Sequence, residues 1–285
     1  MDASLTPPVL IPARNGLPVL LSIPHSGRDY PDWLLAEARH GRRGLMSLED
    51  PLVDRLAWRA IAAGFGAVVA LTPRGAIDCN RSSGELDPAS IAPDPASGVG
   101  SAPEGPRARH GLGIIASRTQ RHGQLWRRPL PRARFAERLA TAYDPFHALI
   151  AAELARIAAE HGNALLLDLH SMPPRGPRTP QVVIGDRHAT SADEWLAAHA
   201  VNIAEAAGFG AARNDPYAGG HIVERHGRPA QGIHALQIEL DRSAYLAGDL
   251  MSAGAGFDRC SRLLAALASG LADAMAQGGQ AIAAE

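Results

Sequence analysis

The sequence predicts an α/β fold with a central mixed sheet flanked by helices, and three observations predict it. Short apolar runs recur along the chain, each bounded by Pro, Gly or a polar residue as buried strands are. Longer segments with apolar residues at helical spacing lie between them. Chemically capable polar residues stand at or near the ends of the strand-like runs, which is where ligands collect in such sheets.

Residues 18–23 form the first apolar run, closed by Pro24, so His25 stands just past a strand end. Residues 47–64 read as a helix in which Asp50 can serve as the cap, Pro51 suits the first turn, and Leu52, Leu56, Ala60 and Ala63 share a face. A second strand covers 67–71, and an extended piece at 76–78 delivers Asn80 and Arg81 into a loop. Residues 82–110, rich in Pro, Gly, Ser and Ala, read as a mobile loop. The longest helical tract is 131–161, with Phe135, Leu139, Tyr143, Phe146, Ile150, Leu154 and Ile157 on one stripe, a kink expected at Pro145 and Gly162 as its stop. The strand at 164–169 delivers His170 and Ser171 to its carboxyl end. Segments 181–184, 191–207, 235–240 and 256–276 continue the alternation, and no low-complexity linker divides the chain, so a single domain over 1–285 is expected.

Composition narrows the function classes. A net charge of −1 gives no basic footprint for nucleic acid or an anionic membrane. Two cysteines in 285 residues make no disulfide framework, and the first residues lack a basic segment leading into an apolar one, so a soluble cytoplasmic protein is expected. The longest uncharged apolar stretch, 60–73, is shorter than the roughly 18–20 residues a membrane helix needs. Oligomeric state leaves no mark in the sequence.

Twelve histidines raise the question of metal or acid–base chemistry. His25 and His170 both follow apolar runs into a Ser, and imidazoles with a carboxylate suit a catalytic zinc that keeps one position open. For Asp50 a helix cap is the simplest account, and Glu49 and Asp54 are alternative acidic ligands. Asp168, two residues before His170, can orient that imidazole. Alternation in 235–240 puts Gln237 and Glu239 on one face, where Glu239 is either a general base or a salt-bridge partner of Arg242. Asn80 and Arg81 suit carboxylate binding. His221 and Glu224 have H-x-x-E spacing, but Gly219, Gly220 and Gly227 argue against a helix there, leaving His221 on the substrate side and Glu224 facing solvent. Nucleophile-elbow, phosphate-loop and C-x-x-C patterns are missing.

Several strings taken together resemble the N-formylglutamate amidohydrolase family over nearly the whole chain. They are Ser22-Ile23-Pro24-His25-Ser26-Gly27, Glu49-Asp50, Arg74 with Asp78-Cys79-Asn80-Arg81, Gly111-Leu112-Gly113-Ile114-Ile115, Tyr143-Asp144-Pro145-Phe146-His147, Asp168-Leu169-His170-Ser171, Gly219-Gly220-His221-Ile222 and Gln237-Ile238-Glu239-Leu240. The chain departs from the family in Ser82, where Pro is common, and in the Ala/Pro/Gly-rich loop over 89–106.

The resemblance implies a core similar to zinc carboxypeptidases and metal-dependent cleavage of N-formyl-L-glutamate to formate and L-glutamate in histidine degradation. It implies His25, His170 and Asp50 as zinc ligands and Glu239 as the carboxylate that activates water. Arg81 or Arg74 would stabilise the oxyanion, and Arg74, Asn80, Arg81 and His221 would contact the substrate. The rival expectations are a carboxypeptidase-like or other N-acyl amino acid hydrolase, and a non-enzymatic α/β ligand-binding domain. His147 and His234 carry no assigned role.

Overall fold

Nine strands are found among the described residues, which in this computed structural model are 4–87, 90–92, 105–176 and 178–282. They are β1 (Val9–Ile11), β2 (Val19–Ile23), β3 (Gly66–Val69), β4 (Arg118–Thr119), β5 (Gly123–Gln124), β6 (Ala164–Met172), β7 (Val182–Gly185), β8 (Ala211–Arg213) and β9 (Ile233–Asp241). Seven make one sheet in the order β1-β3-β2-β6-β9-β7-β8, and β4 with β5 makes a separate ladder. Within the large sheet β2 runs parallel to β3 and β6, and β6 to β9, while β7 is antiparallel to β9, so the sheet is mixed. The inner strands are buried at nearly every position, which is why their sequences read as continuous apolar runs.

The helices are α1 (Asp32–Glu37), α2 (Gly41–Met46), α3 (Val53–Leu56), α4 (Trp58–Ala62), α5 (Pro106–Arg109), α6 (Arg132–Arg138), α7 (Asp144–His161), α8 (Glu194–Ala206), α9 (His221–His226) and α10 (Phe257–Ile282). By their contacts the residues fall into two compact units. Of the described residues, those within 4–9, 24–49 and 70–148 form one and those within 10–23, 50–69 and 149–282 form the other. The second unit carries the sheet. On it α10 packs against α3, α4 and α8 through a buried stripe that includes Leu263, Leu264, Leu267, Leu271 and Met275. Among the described residues no helix is long and apolar enough to cross a membrane.

Several local expectations are corrected. The single helix over 47–64 is instead α3 and α4, beginning only at Val53, because Leu52 adopts a left-handed backbone (φ 61°) that a helix cannot include. Asp50 therefore does not cap it, and Leu52 in the cap position makes no side-chain cap bond. In the piece at 76–78, Ala76 ends a turn and residues 77–78 belong to no regular element. The long tract includes a π turn, Leu139–Tyr143, just before Pro145; proline lacks the N–H that would bond the Thr141 carbonyl. β6 runs on through His170 and Ser171, since pairing with β9 continues to Met172 and Asp241. The H-x-x-E segment is helical after all, with Gly220 and Gly227 as its caps instead of breaks within it. Of the loop expected at 82–110, residues 88–89 and 93–104 lie outside the described residues, and its end forms α5.

Candidate functional site

In the second unit the site is written on two neighbouring strands. Side chains two apart on a strand share a face, so Asp168 and His170 on β6 point the same way, as do Gln237 and Glu239 on β9. Register then pairs Asp168 with Gln237 and His170 with Glu239, gathering four polar side chains on an otherwise apolar sheet. All four are buried.

His170 is held at both ring nitrogens. Nε2 lies 2.8 Å from Oδ2 of Asp168, and Nδ1 lies 3.1 Å from Oδ2 of Asp50. Burial alone would depress this imidazole's pKa. The charge and hydrogen bond of Asp168, the hydrogen bond to Asp50 and the charge of Glu239 outweigh burial and raise it well above the ordinary range. The other Asp50 oxygen, Oδ1, accepts from Nη2 of Arg242 at 3.0 Å, and Nε of Arg242 donates to Oγ of Ser171 at 3.1 Å. Glu239 accepts from Nε2 of Gln237 at 2.8 Å, and Oε1 of Gln237 accepts from the Gly220 backbone N–H at 2.7 Å. Gly220 immediately precedes His221, whose Nδ1 lies 3.4 Å from Oε2 of the exposed Glu224 in the first turn of α9. Burial lowers the pKa of His221, Glu224 opposes that shift, and Arg225 and Arg187 add to it.

Tyr217 is half-buried on the approach to Gly220. Burial pushes its phenol up, Glu239 and Asp50 add to that, and Arg175 and Arg242 oppose it.

In the first unit the centre is Asp78. Its Oδ1 lies 2.7 Å from Nε2 of His25 and accepts from the Asn80 backbone N–H at 2.8 Å. Its Oδ2 accepts from Nε of Arg74 at 2.9 Å, with Nη2 of Arg81 at 3.9 Å. Burial would raise this carboxyl's pKa, but the charges of Arg74, His25 and Arg81 hold it well below the usual carboxylate range. Arg74 also donates to the Leu48 carbonyl at 2.9 Å. The Arg81 guanidinium donates to the carbonyls of Leu112 (2.9 Å) and Asn80 (2.7 Å), and burial lowers its pKa to about 10.

In the second unit His170 and Asp50 bring a buried imidazole and a buried carboxylate within 3.1 Å of each other, and in the first unit His25 offers a further buried imidazole. Glu49 is buried and Asp54 only half-buried.

The family model of N-formylglutamate amidohydrolase matches residues 17–246. The chain belongs to the N-formylglutamate amidohydrolase family. It is 31% identical over 244 residues to an N-formylglutamate deformylase of Pseudomonas aeruginosa, covering 82% of this chain and 84% of that one. A Pseudomonas putida N-formylglutamate deformylase is 31% identical over 256 residues, covering 82% and 83%. Among solved structures, the N-formylglutamate amidohydrolase from Ralstonia eutropha JMP134 superposes with a TM-score of 0.85 at 31% identity, covering 96% of this chain and all of that one. A gene product from Agrobacterium tumefaciens shares the fold, with a TM-score of 0.63 at 18% identity.

The N-formylglutamate amidohydrolase match encloses every candidate residue from His25 to Arg242 and leaves α10 outside. Two contributors are given no role by the sequence patterns. Asp78 stands in a family-like string, where an Asp followed two residues later by Asn-Arg is the visible signal. Alternation offers Arg242 as a partner for Glu239, and the structure gives Arg242 a bond to Asp50. Nδ1 of His234 accepts from the Asp193 backbone N–H at 3.4 Å, at the start of α8.

Proposed function

We propose that this chain is a metal-dependent hydrolase that cleaves the formamide bond of N-formyl-L-glutamate, giving formate and L-glutamate. The observation that carries this reading is that His25, Asp50 and His170, all buried, each lie in one of the strings that mark the N-formylglutamate amidohydrolase family.

The donor chemistry fits zinc. Each imidazole has its Nε2 on a buried aspartate, His25 on Asp78 and His170 on Asp168, which fixes the ring and makes Nδ1 the basic nitrogen that would bind metal. When bound, zinc supplies a Lewis acid that polarises a carbonyl and brings the pKa of a water near neutrality.

The remaining chemistry falls to the chain's own groups. Glu239 accepts the proton of the attacking water and returns it to the departing amine as the C–N bond breaks, with the water oxygen ending on formate. Arg81, with Arg74, offers positive charge toward the developing oxyanion, and Arg74, Asn80, Arg81 and His221 hold the substrate's carboxylates and carbonyl. The same reading carries with it a place in histidine degradation and a cytoplasmic setting.

Formate release is the test. Protein loaded with zinc should liberate formate from N-formyl-L-glutamate, and a chelator should abolish it. No formate with or without added zinc refutes the activity, and faster cleavage of a C-terminal peptide bond would favour the carboxypeptidase-like rival.

A further inference from the structure

Three side chains from the helical tract that follows Pro131 end on backbone carbonyls of one short segment, residues 76–81. Nη1 of Arg138 donates to the Ala76 carbonyl at 2.8 Å, Nε2 of His147 to the Cys79 carbonyl at 3.1 Å, and Oη of Tyr143 to the Arg81 carbonyl at 2.8 Å. A carbonyl only accepts, so the His147 ring carries its proton on Nε2. All three side chains are buried.

The spacing of these three is foreign to a regular α-helix. Positions i, i+5 and i+9 point about 140° and 180° apart at roughly 100° per residue. The π turn at Leu139–Tyr143 resolves this, because its i→i+5 bonding takes up one extra residue. Tyr143 and His147 then stand where i+4 and i+8 would in an unbroken helix, on the face of Arg138. Pro145, unable to bond Thr141, favours the irregularity at this point.

A buried guanidinium is a costly means of holding one carbonyl. Arg138 is only 2% exposed, stacks near the rings of Trp33 (5.2 Å) and Trp126 (5.7 Å), and meets Glu37 at 3.7 Å. The segment so held contains Asp78, which orients His25, and Asn80 and Arg81.

We propose that the π turn is a register device that makes Arg138, Tyr143 and His147 positioning residues, clamping the 76–81 backbone so that Asn80 and Arg81 select a dicarboxylate substrate. The selectivity part rests on the function proposed above; the clamp does not. Tyr143 and His147 touch no reacting atom and act through the carbonyls of Arg81 and Cys79.

Two readouts on Tyr143→Phe, His147→Leu and His147→Gln test it. Hydrogen exchange needs no substrate: amides in 76–81 should lose protection in Tyr143→Phe and His147→Leu and keep it in His147→Gln, whose amide N–H replaces Nε2. Unchanged protection in the first two overturns the clamp. The second readout is kcat/KM for N-formyl-L-glutamate relative to N-formyl-L-norvaline, which lacks the side-chain carboxylate. This ratio should fall about 10-fold in Tyr143→Phe and His147→Leu, mostly through KM, and recover in His147→Gln. Equal losses on both substrates overturn the selectivity role. A wild-type protein that releases no formate refutes the proposed function instead, while exchange still decides the clamp.

Discussion

Gln237 donates its side-chain N–H to the carboxylate of Glu239 at 2.8 Å while its own oxygen takes the Gly220 backbone N–H at 2.7 Å. An ionised carboxylate only accepts and a backbone N–H only donates, so the two partners fix the amide's orientation between them. The side chain proposed as base is thereby tied to the residue before His221, across the end of β9.

Glu239→Gln should lower kcat for formate release by about 10²–10⁴, the range for losing a positioned acid–base group. Metal content, measured on the same preparations, should not change. A variant with near wild-type turnover would remove Glu239 from the chemistry.

Asp78→Asn and Asp168→Asn should each weaken metal binding by about 10–100-fold, because each withdraws the carboxylate that holds an imidazole Nε2. Titration against a competing chelator reads this directly. Equal affinity in both variants and wild type would mean that neither histidine depends on its aspartate.

Gly27 follows His25-Ser26 where the backbone passes very close to the next segment. A methyl there would overlap the backbone oxygens of Leu71 and Thr72, the former at 2.6 Å. Gly27→Ala should therefore cost about 1–3 kcal/mol. Thermal unfolding should shift down by roughly 2–4 °C for each kcal/mol in a chain near this size. An unshifted midpoint would show that this close approach is not needed.

His226 gives a pH dependence remote from the proposed chemistry. Burial, with Arg225, His221 and Arg228 adding to it, lowers its pKa from 6.5 to about 3. Between those values the unfolded chain binds the proton and the folded one does not, so stability is complete above about pH 6.5 and is lost as pH falls. Moving from pH 7 to pH 5 should remove ~2 kcal/mol through this one residue. Urea unfolding at both pH values should find that gap narrowed by a similar amount in His226→Gln. The same gap in both proteins would contradict the assignment.

Much of this was legible in the sequence where a single local rule decides the outcome. The strand runs ending at Ile23 and passing through Glu239 stand out because parallel inner strands are apolar on both faces, which makes polar residues conspicuous there, whereas the run at 164–169 locates β6 without showing that it continues through His170. What was hidden depends on partners distant along the chain. Asp50 looked like a helix cap until Leu52 turned left-handed and left its carboxylate for His170 and Arg242. The π turn could not be read from composition, since Pro145 signals a disturbance but not that one extra residue is absorbed ahead of it. His147 gained a role only when its acceptor, the Cys79 carbonyl, was known.

The most direct test of the central claim is elemental analysis of the purified wild-type protein beside His25→Ala, Asp50→Ala, His170→Ala and His221→Ala. The account predicts about one divalent metal ion per chain in the wild type and in His221→Ala, and its loss from the other three. Metal retained in His25→Ala and His170→Ala, or lost from His221→Ala alone, would contradict it.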